Sequence, residues 1–477
     1  MYGIDRFLDY IRLVISGIWQ IESHVVLSIY PSNSHPIETA MEDFMIKNRK
    51  AILIKAILLM TLTFYGCGSS DSPDSTGHVT ITEKPMYWEV HIDYSSGDPY
   101  SIGWEYGTIV LSRAPNYEAA VDAYLKAASS DKQEIYEVLI QRALEISKNI
   151  QSQYMDEIEG FASVLSGGTV NVMGDGKLSR DEFLIANFIP SVCNDTACSA
   201  TAVFGSKSAT GQTILGRNTD WASGPPQEST NGNTRGVYIT AGNINALIYS
   251  KTGKKQTAFF GTLGIIGTIV GINSNGIFVA GLHSQTGSPY SAVDKRSVLL
   301  DIREALETSD TVDEAGAFLG APSRVYAYHN NMFIADKNTA KVLENDYERN
   351  RALRGADSEL NPGITWGISD AIACVNAFVL KGNFDNFTGQ KWQTERWSSF
   401  KTLLIQEGDT VDLDRMKTIM RYHKPGGGGK DPGDIYNEGT IQSMAYSYTE
   451  NRLELWLGTF VDDPQYLTIS IPFLEGQ

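Results

Sequence analysis

The 477-residue sequence is short of cysteine, of histidine and of positive charge, and each shortage excludes a class of protein. Four cysteines (Cys67, Cys193, Cys198 and Cys374) are too few for a disulfide scaffold, and no C-x-x-C pair suggests zinc. A formal charge of −17 argues against a nucleic-acid binder, which carries a basic patch. No apolar run reaches the ~20 residues of a membrane-spanning helix. There is no internal repeat. The Gly-rich loop HKPGGGGKDPGD (423–434) lacks GxxxxGK[ST] and a following helix, so it is no phosphate loop.

What is present is enough to fold. Hydrophobic residues make up 42% of a length that suits one large domain or two ordinary ones. Met45 to Lys55 is basic, Ala56 to Gly66 is apolar, and Cys67 follows. That order reads as a secretory signal over 45–67, and the cysteine after a small residue resembles a bacterial lipoprotein signal. The alternative is an ordinary signal with an incidental cysteine. The small polar stretch 68–78 is expected to be a flexible linker. A signal belongs at a true start, so translation is expected to begin at Met41 or Met45. Otherwise residues 1–44 are a real extension. The expected location is outside a bacterial cytoplasm: periplasmic, or lipid-anchored to a membrane if Cys67 is acylated.

Downstream, 79–92 reads as extended, and 116–128, 131–150 and 154–165 read as helices. In the second, Ile135, Leu139, Ala143, Ile146 and Ile150 fall on one helical face. Ser179-x-x-Glu182 is a capping box opening another helix. Asn171, Asp175, Gly176 and Glu182 also mimic half of a calcium loop, but Met173 stands where a carboxylate is needed. The capped helix is preferred and no metal is expected. From Cys198 strands dominate: 199–205, 212–218, 235–241, 245–250, 257–261, 266–273 and 277–282, with a turn signal at Ser274-Asn-Gly276. Helices return at 295–307, 311–319, 391–405 and 411–421. Strands are expected at 325–335, 341–345, 371–379, 440–448 and 452–459. Helices, then antiparallel strands, then both together predict an α+β layered domain.

Cys198 poses the functional question. A hairpin centred near residue 209 puts Asp220 across from Cys198 and Arg217 near Thr201. A thiol, a guanidinium and a carboxylate then converge at one sheet end. One reading is a buried thiol beside a structural ion pair. The other is a nucleophile, which needs a base. No histidine lies within eighty residues of Cys198, although His283, His329 and His423 are available through the fold. A chain break before Cys198 offers another base. The new α-amine has an unperturbed pKa of about 8, suited to proton transfer.

Six stretches in order then carry a resemblance. They are Cys198 to Trp221 with Gly216-Arg-Asn-x-Asp-Trp221, Gly271-Ile-Asn-x-Asn-Gly-Ile277 with Ala280-Gly-Leu282, and Phe333-Ile-Ala-Asp336 with Val342-Leu-Glu344. Ala373-Cys-Val-Asn376, Glu395-Arg396 and Thr440-Ile-Gln-Ser-Met444 complete them. The sequence resembles the cysteine subgroup of N-terminal-nucleophile (Ntn) hydrolases: isopenicillin N acyltransferase, penicillin V acylase, bile salt hydrolase and acid ceramidase. Gly103-x-x-x-Gly107, Glu157-Ile-Glu-Gly160 and Ala186-Asn187 resemble the propeptide of the acyltransferase branch. The resemblance covers roughly residues 95 to 460. Ala197 before the nucleophile and Ala377 after the asparagine depart from the pattern.

The resemblance implies a four-layer αββα sandwich of two antiparallel sheets covered by helices, with a helical propeptide-derived subunit over 79–197 and a catalytic region over 198–477. It implies cleavage between Ala197 and Cys198, with both fragments staying associated, and leaves homo-oligomers open. Cys198 is the implied nucleophile, with its own amine as base. Asp220 orients that amine, Arg217 favours the thiolate, Asn376 stabilises the oxyanion and Arg396 completes the charge network. Trp221, Asn273 and His283 are candidates for the substrate pocket. The substrate is a small N-acyl amide, and no cofactor is implied. Two rivals are a Cys-His amidase using His283 or His329 without processing, and a ligand-binding surface lipoprotein on the same scaffold. Cys193 and Cys374 are either a disulfide or two free thiols.

Overall fold

The computed structural model describes residues 77–193, 196–221, 227–228, 234–235, 244–253, 255–284, 290–406 and 410–476. The expected signal with Cys67, the 1–44 extension and most of the linker lie outside these residues. Among the described residues, no helix is long and apolar enough to cross a membrane.

The stretch expected to be extended over 79–92 is a hairpin of β1 (Val79–Glu83) and β2 (Trp88–Asp93). Five helices follow: α1 (Pro99–Arg113), α2 (Tyr117–Ala128), α3 (Gln133–Ser147), α4 (Ser152–Ala162) and α5 (Arg180–Val192). Periodicity marks α2 to α5 but not α1, whose Gly103 and Gly107 lower helix propensity. Asp98 starts α1 by accepting from Ser101 N, with Pro99 at the first helical position. Packing explains its glycines. A Cβ on Gly103 would lie 2.0 Å from Glu157 O, and one on Gly160 would lie 2.0 Å from Tyr100 O. α1 and α4 therefore cross at backbone contact. Ser179 caps α5, and the Glu182 carboxylate returns a bond from Ser179 N at 2.6 Å. Asn171 Oδ1 accepts from Ser179 Oγ at 2.6 Å, so Asn171 and Glu182 of the calcium-like residues serve the cap.

The chain then alternates between two sheets. The six-stranded sheet orders β14 (Ala371–Cys374), β3 (Thr196–Val203), β4 (Ile214–Trp221), β15 (Thr440–Ser447), β16 (Arg452–Leu457) and β17 (Leu467–Ile469). The nine-stranded sheet begins β1, β2, β7 (Asn245–Lys251), β8 (Gln256–Thr262) and β9 (Val270–Asn273). It continues with β10 (Phe278–His283), β11 (Asn330–Ala335), β12 (Ala340–Asn345) and β13 (Arg351–Arg354). A short ribbon pairs β5 (Gln227–Glu228) with β6 (Thr234–Arg235). One pair departs from the antiparallel expectation: β2 runs parallel to β7. The long crossover between them, which contains α1 to α5, permits that direction.

Three apolar cores separate four layers. α1 to α5, with α6 (Val298–Thr308) and α7 (Val312–Leu319), cover the outer face of the nine-stranded sheet. α8 (Lys391–Ile405) and α9 (Leu413–Met420) cover the six-stranded sheet. Between the sheets, Cys198, Ala200, Ala202 and Leu215 meet Phe260, Leu282 and Phe333. The architecture is the expected αββα sandwich.

Candidate active site

The stretch Gly216 to Trp221 reads as a strand whose residues alternate between two faces. Arg217 and Thr219 face the inter-sheet core on the side of Cys198. Gly216, Asn218 and Asp220 face α8 and α9. A Cβ on Gly216 would lie 2.3 Å from Met420 Cγ, so only glycine lets α9 approach. Asn218 Nδ2 donates to Met420 O at 2.9 Å, holding the last turn of α9, and to Ile435 O at 2.8 Å. Asp220 accepts from Thr440 Oγ1 at 2.7 Å and forms an ion pair with Arg396 at 3.5 Å.

The hairpin register differs by one residue from the expectation. Cys198 pairs with Thr219, Ala200 with Arg217, and Ala197 with Asp220. The connection 204–213 contains a 3₁₀ turn at Gly205–Lys207, which moves the centre off residue 209. A one-residue slip exchanges faces. Asp220 therefore lies on the opposite face from Cys198, while Arg217 shares its face.

Around Cys198 the contacts are specific. Arg217 Nη2 lies 3.5 Å from Sγ and donates to Gly281 O at 3.2 Å, which ties the two sheets together. Arg217 Nη1 bonds Thr219 Oγ1, and reaches Gln442 Oε1 at 3.3 Å. Cys198 N donates to Asn376 Oδ1 at 2.9 Å. Strand β14 pairs only with Ala200 to Val203, so this carboxamide takes the place of a strand neighbour. Arg396 Nη1 donates to Cys198 O at 3.2 Å and lies 3.5 Å from Asn376 Oδ1. In the intact chain, then, the contact expected between Asp220 and the Cys198 nitrogen is made by Asn376. The Asn376 Nδ2 group donates to His283 O at 2.7 Å.

The electrostatics are uneven. Arg217 is 0% exposed, and among the described residues no carboxylate pairs with it. A buried cation with neutral partners costs several kcal/mol unless negative charge forms beside it. Cys198 Sγ can supply that charge. Burial pushes the Cys198 thiol up, and the opposing pull of Arg217 is smaller. The intact chain thus holds the sulfur as a thiol. Burial also raises the Asp220 carboxyl, against the pull of Arg396.

The remaining candidates divide. His283 is buried at the site end of β10, edge-on to Tyr328 at 4.9 Å. Burial, then the nearby His329, lowers its pKa to about 4, so it is neutral at physiological pH. Among the described residues, no histidine bonds Cys198 Sγ; its side-chain partner is Arg217. Trp221 ends β4 and packs in the core under the helical layer. Asn273 sits at the other end of the β9–β10 hairpin, opposite Ile277 and roughly 20 Å along the strand from His283. Its Nδ2 donates to Leu306 O and Ser309 O, both at 2.9 Å, and its Oδ1 accepts from Asn275 N and Ile277 N. These bonds commit it to the turn, which removes it from the pocket. Cys193 and Cys374 are not joined in a disulfide and lie in different cores. A cleft of about 260 Å³ beside β1, β2 and β7, lined by His78, Tyr249 and Lys251, contains none of the site residues.

Gln393 and Asn331 lie outside the motif stretches, and Gln442 lies inside Thr440-Ile-Gln-Ser-Met444 without a role read for it. Gln442, Gln393 and Asn331 all bond the site's backbone or side chains. For Asn331 and Gln442 the signal is a polar residue inside an apolar run, in NNMFIA and TIQSMA, whereas Gln393 lies in the polar start KWQTER of α8 and gives none.

No family model and no curated protein matches the chain. Solved structures similar in fold include a Caenorhabditis elegans N-acylethanolamine-hydrolyzing acid amidase ortholog. It is 17% identical, with 52% of this chain and 92% of that chain covered and a TM-score of 0.30. A variant of the conjugated bile acid hydrolase from Clostridium perfringens is 15% identical, with coverage of 58% and 94% and a TM-score of 0.33. Penicillin V acylase from Agrobacterium tumefaciens is 11% identical, with coverage of 58% and 88% and a TM-score of 0.34.

Proposed function

We propose that this chain is a cysteine Ntn hydrolase that cleaves itself before Cys198 and then splits a linear N-acyl amide. One observation carries the reading. A buried thiol lies 3.5 Å from Arg217, which among the described residues has no carboxylate in ion-pair contact, and its own backbone nitrogen is held at 2.9 Å by Asn376. A Cys-His mechanism would want an imidazole at the sulfur, and Arg217 occupies that place.

In the first step Cys198 Sγ attacks the Ala197 carbonyl. The thiol proton passes to the Cys198 nitrogen as the C–N bond breaks, leaving a thioester and a free α-amine. Water cleaves the thioester, and the exposure of Ala197 leaves it a path. In turnover the α-amine takes the thiol proton and Sγ attacks the substrate carbonyl. Asn376 Nδ2 and a backbone N–H stabilise the oxyanion, each donor typically being worth about 2.7–4 kcal/mol. The departing amine takes the proton, and water or an amine acceptor releases the acyl group. Arg396 fixes Cys198 O and Asn376 Oδ1 while balancing Asp220.

Contacts across the cut support lasting association of the fragments. Arg303 pairs with Glu157 across the cut at 2.8 Å, and Tyr154 donates across it to Glu307 at 2.6 Å. Asn187 Oδ1 accepts from Ile266 N at 2.7 Å. Export and anchoring through Cys67 complete the proposal, and radiolabelled fatty acid that fails to enter the wild type would remove the anchor.

The test is a denaturing gel of the wild type beside Cys198→Ala. Two fragments from the first and one chain from the second are expected. An intact wild type that hydrolyses N-acyl amides would refute the processing step.

A further inference from the structure

The segment bearing Asn376 is gripped from the opposite sheet by one side chain. Asn331, on β11, is 1% exposed. Its Nδ2 donates to Val375 O and to Ala377 O, both at 3.0 Å. Those carbonyls flank Asn376. The N–H of Asn376 itself donates to Gln393 Oε1 at 3.0 Å. Farther out, Arg354 donates to Ala373 O at 2.8 Å, and Glu344 accepts from Leu380 N at 2.9 Å. The buried Glu344–Arg354 pair therefore secures the ends of the segment, and Asn331 secures its centre.

Asn331 is an expensive choice for this place. Met332, Phe333 and Ile334 follow it in the strand, all fully buried. A buried amide is costly wherever it lacks a partner, and among the described residues Asn331 Oδ1 has none. The two bonds bracket Asn376: Val375 O belongs to the peptide just before it, and Ala377 O to the peptide that follows the next residue. Holding both carbonyls restricts the backbone rotation that would swing the Asn376 carboxamide away from Cys198 N.

We propose that Asn331 is a positioning residue that sets the Asn376 carboxamide against Cys198. This rests on the proposed self-cleaving hydrolase and goes beyond it. Asn331 touches no reacting atom; it acts through Asn376. In self-cleavage, Asn376 Oδ1 holds the nitrogen that departs from the Ala197 carbonyl, so displacement of the carboxamide slows that step.

The experiment follows cleavage of the full chain, made by cell-free translation and chased on a denaturing gel. Asn331→Ala, Asn376→Ala and the double variant are compared with wild type. A misplacement of about 1 Å can cost on the order of 100-fold. Asn331→Ala is expected to slow cleavage about 10- to 100-fold. In the Asn376→Ala background the same change is expected to cost less than about twofold, because the residue it acts through is gone. Equal losses in both backgrounds would mark a merely structural role and overturn the proposal. If Asn331→Ala does not fold, Asn331→Ser decides, since it keeps one donor. An intermediate rate that vanishes as a difference when Asn376 is alanine supports the proposal, and a wild-type rate refutes it. A wild type that does not cleave itself would instead refute the proposed function.

Discussion

Arg217→Met tests the electrostatic core of the site. The guanidinium is fully buried, and its Nη2 lies 3.5 Å from Cys198 Sγ. At that distance a unit charge favours the thiolate by about 5 kcal/mol with an effective dielectric of about 20. Methionine keeps an unbranched apolar stem and removes the charge. Burial then acts on the sulfur opposed only by the weaker pulls of a backbone hydrogen bond and of Arg396, so the thiol pKa is expected to rise further. The assay is a pH titration of thiolate ultraviolet absorbance. Subtracting the Cys198→Ala spectrum removes the signal of the other three cysteines. Self-cleavage should slow in parallel at neutral pH. The fold should tolerate the change better than the loss of one partner of a buried ion pair, which typically costs about 3–5 kcal/mol. A thiol shift below about half a unit would refute the reasoning, because it would mean that the field of Arg217 does not reach the sulfur.

Two further perturbations read other parts of the structure. His283 has a folded pKa of about 4 against an ordinary 6.5, so the unfolded chain binds its proton first as pH falls. Wild type is expected to lose roughly 3 kcal/mol from this group between those pH values. His283→Gln lacks that contribution, so parallel denaturant curves for the two proteins across the window would rule it out. Gly160→Ala places a methyl 2.0 Å from Tyr100 O. Forcing α1 and α4 apart should cost about 1–3 kcal/mol in a urea melt, and an unchanged midpoint would contradict the close crossing.

The layers were legible because their periodicity is local. Ile135, Leu139, Ala143 and Ile146 declare α3, and Ser179 with Glu182 declares the start of α5. Helix α1 is opaque because its glycines make sense only when α4 is in place. The predicted strand 371–379 stops at Cys374 because the chain turns at Asn376, with Ala377 N donating to Val375 O at 2.8 Å. At the site, Cys198, Arg217, Asn376 and Arg396 do meet. The face on which Asp220 lies could not be read, since it depends on a single residue of register set by a loop. Asn273 matched a pattern yet serves a turn, because a motif records residue types and not which end of a hairpin they occupy. Asn331 and Gln393 escaped for the opposite reason: they belong to no motif and matter through backbone bonds across sheets.

The parallel pairing of β2 with β7 has a consequence for refolding. Strands β1 and β2 precede Cys198, yet they form one edge of a sheet whose other strands follow it. In an uncut chain the two parts find each other at the high effective concentration that a covalent tether provides, of order millimolar for a short flexible one. After the proposed cleavage that search would be bimolecular and would depend on dilution. The mature protein would then recover from denaturation only as fast as two separate chains collide, whereas its precursor would recover at a rate independent of concentration.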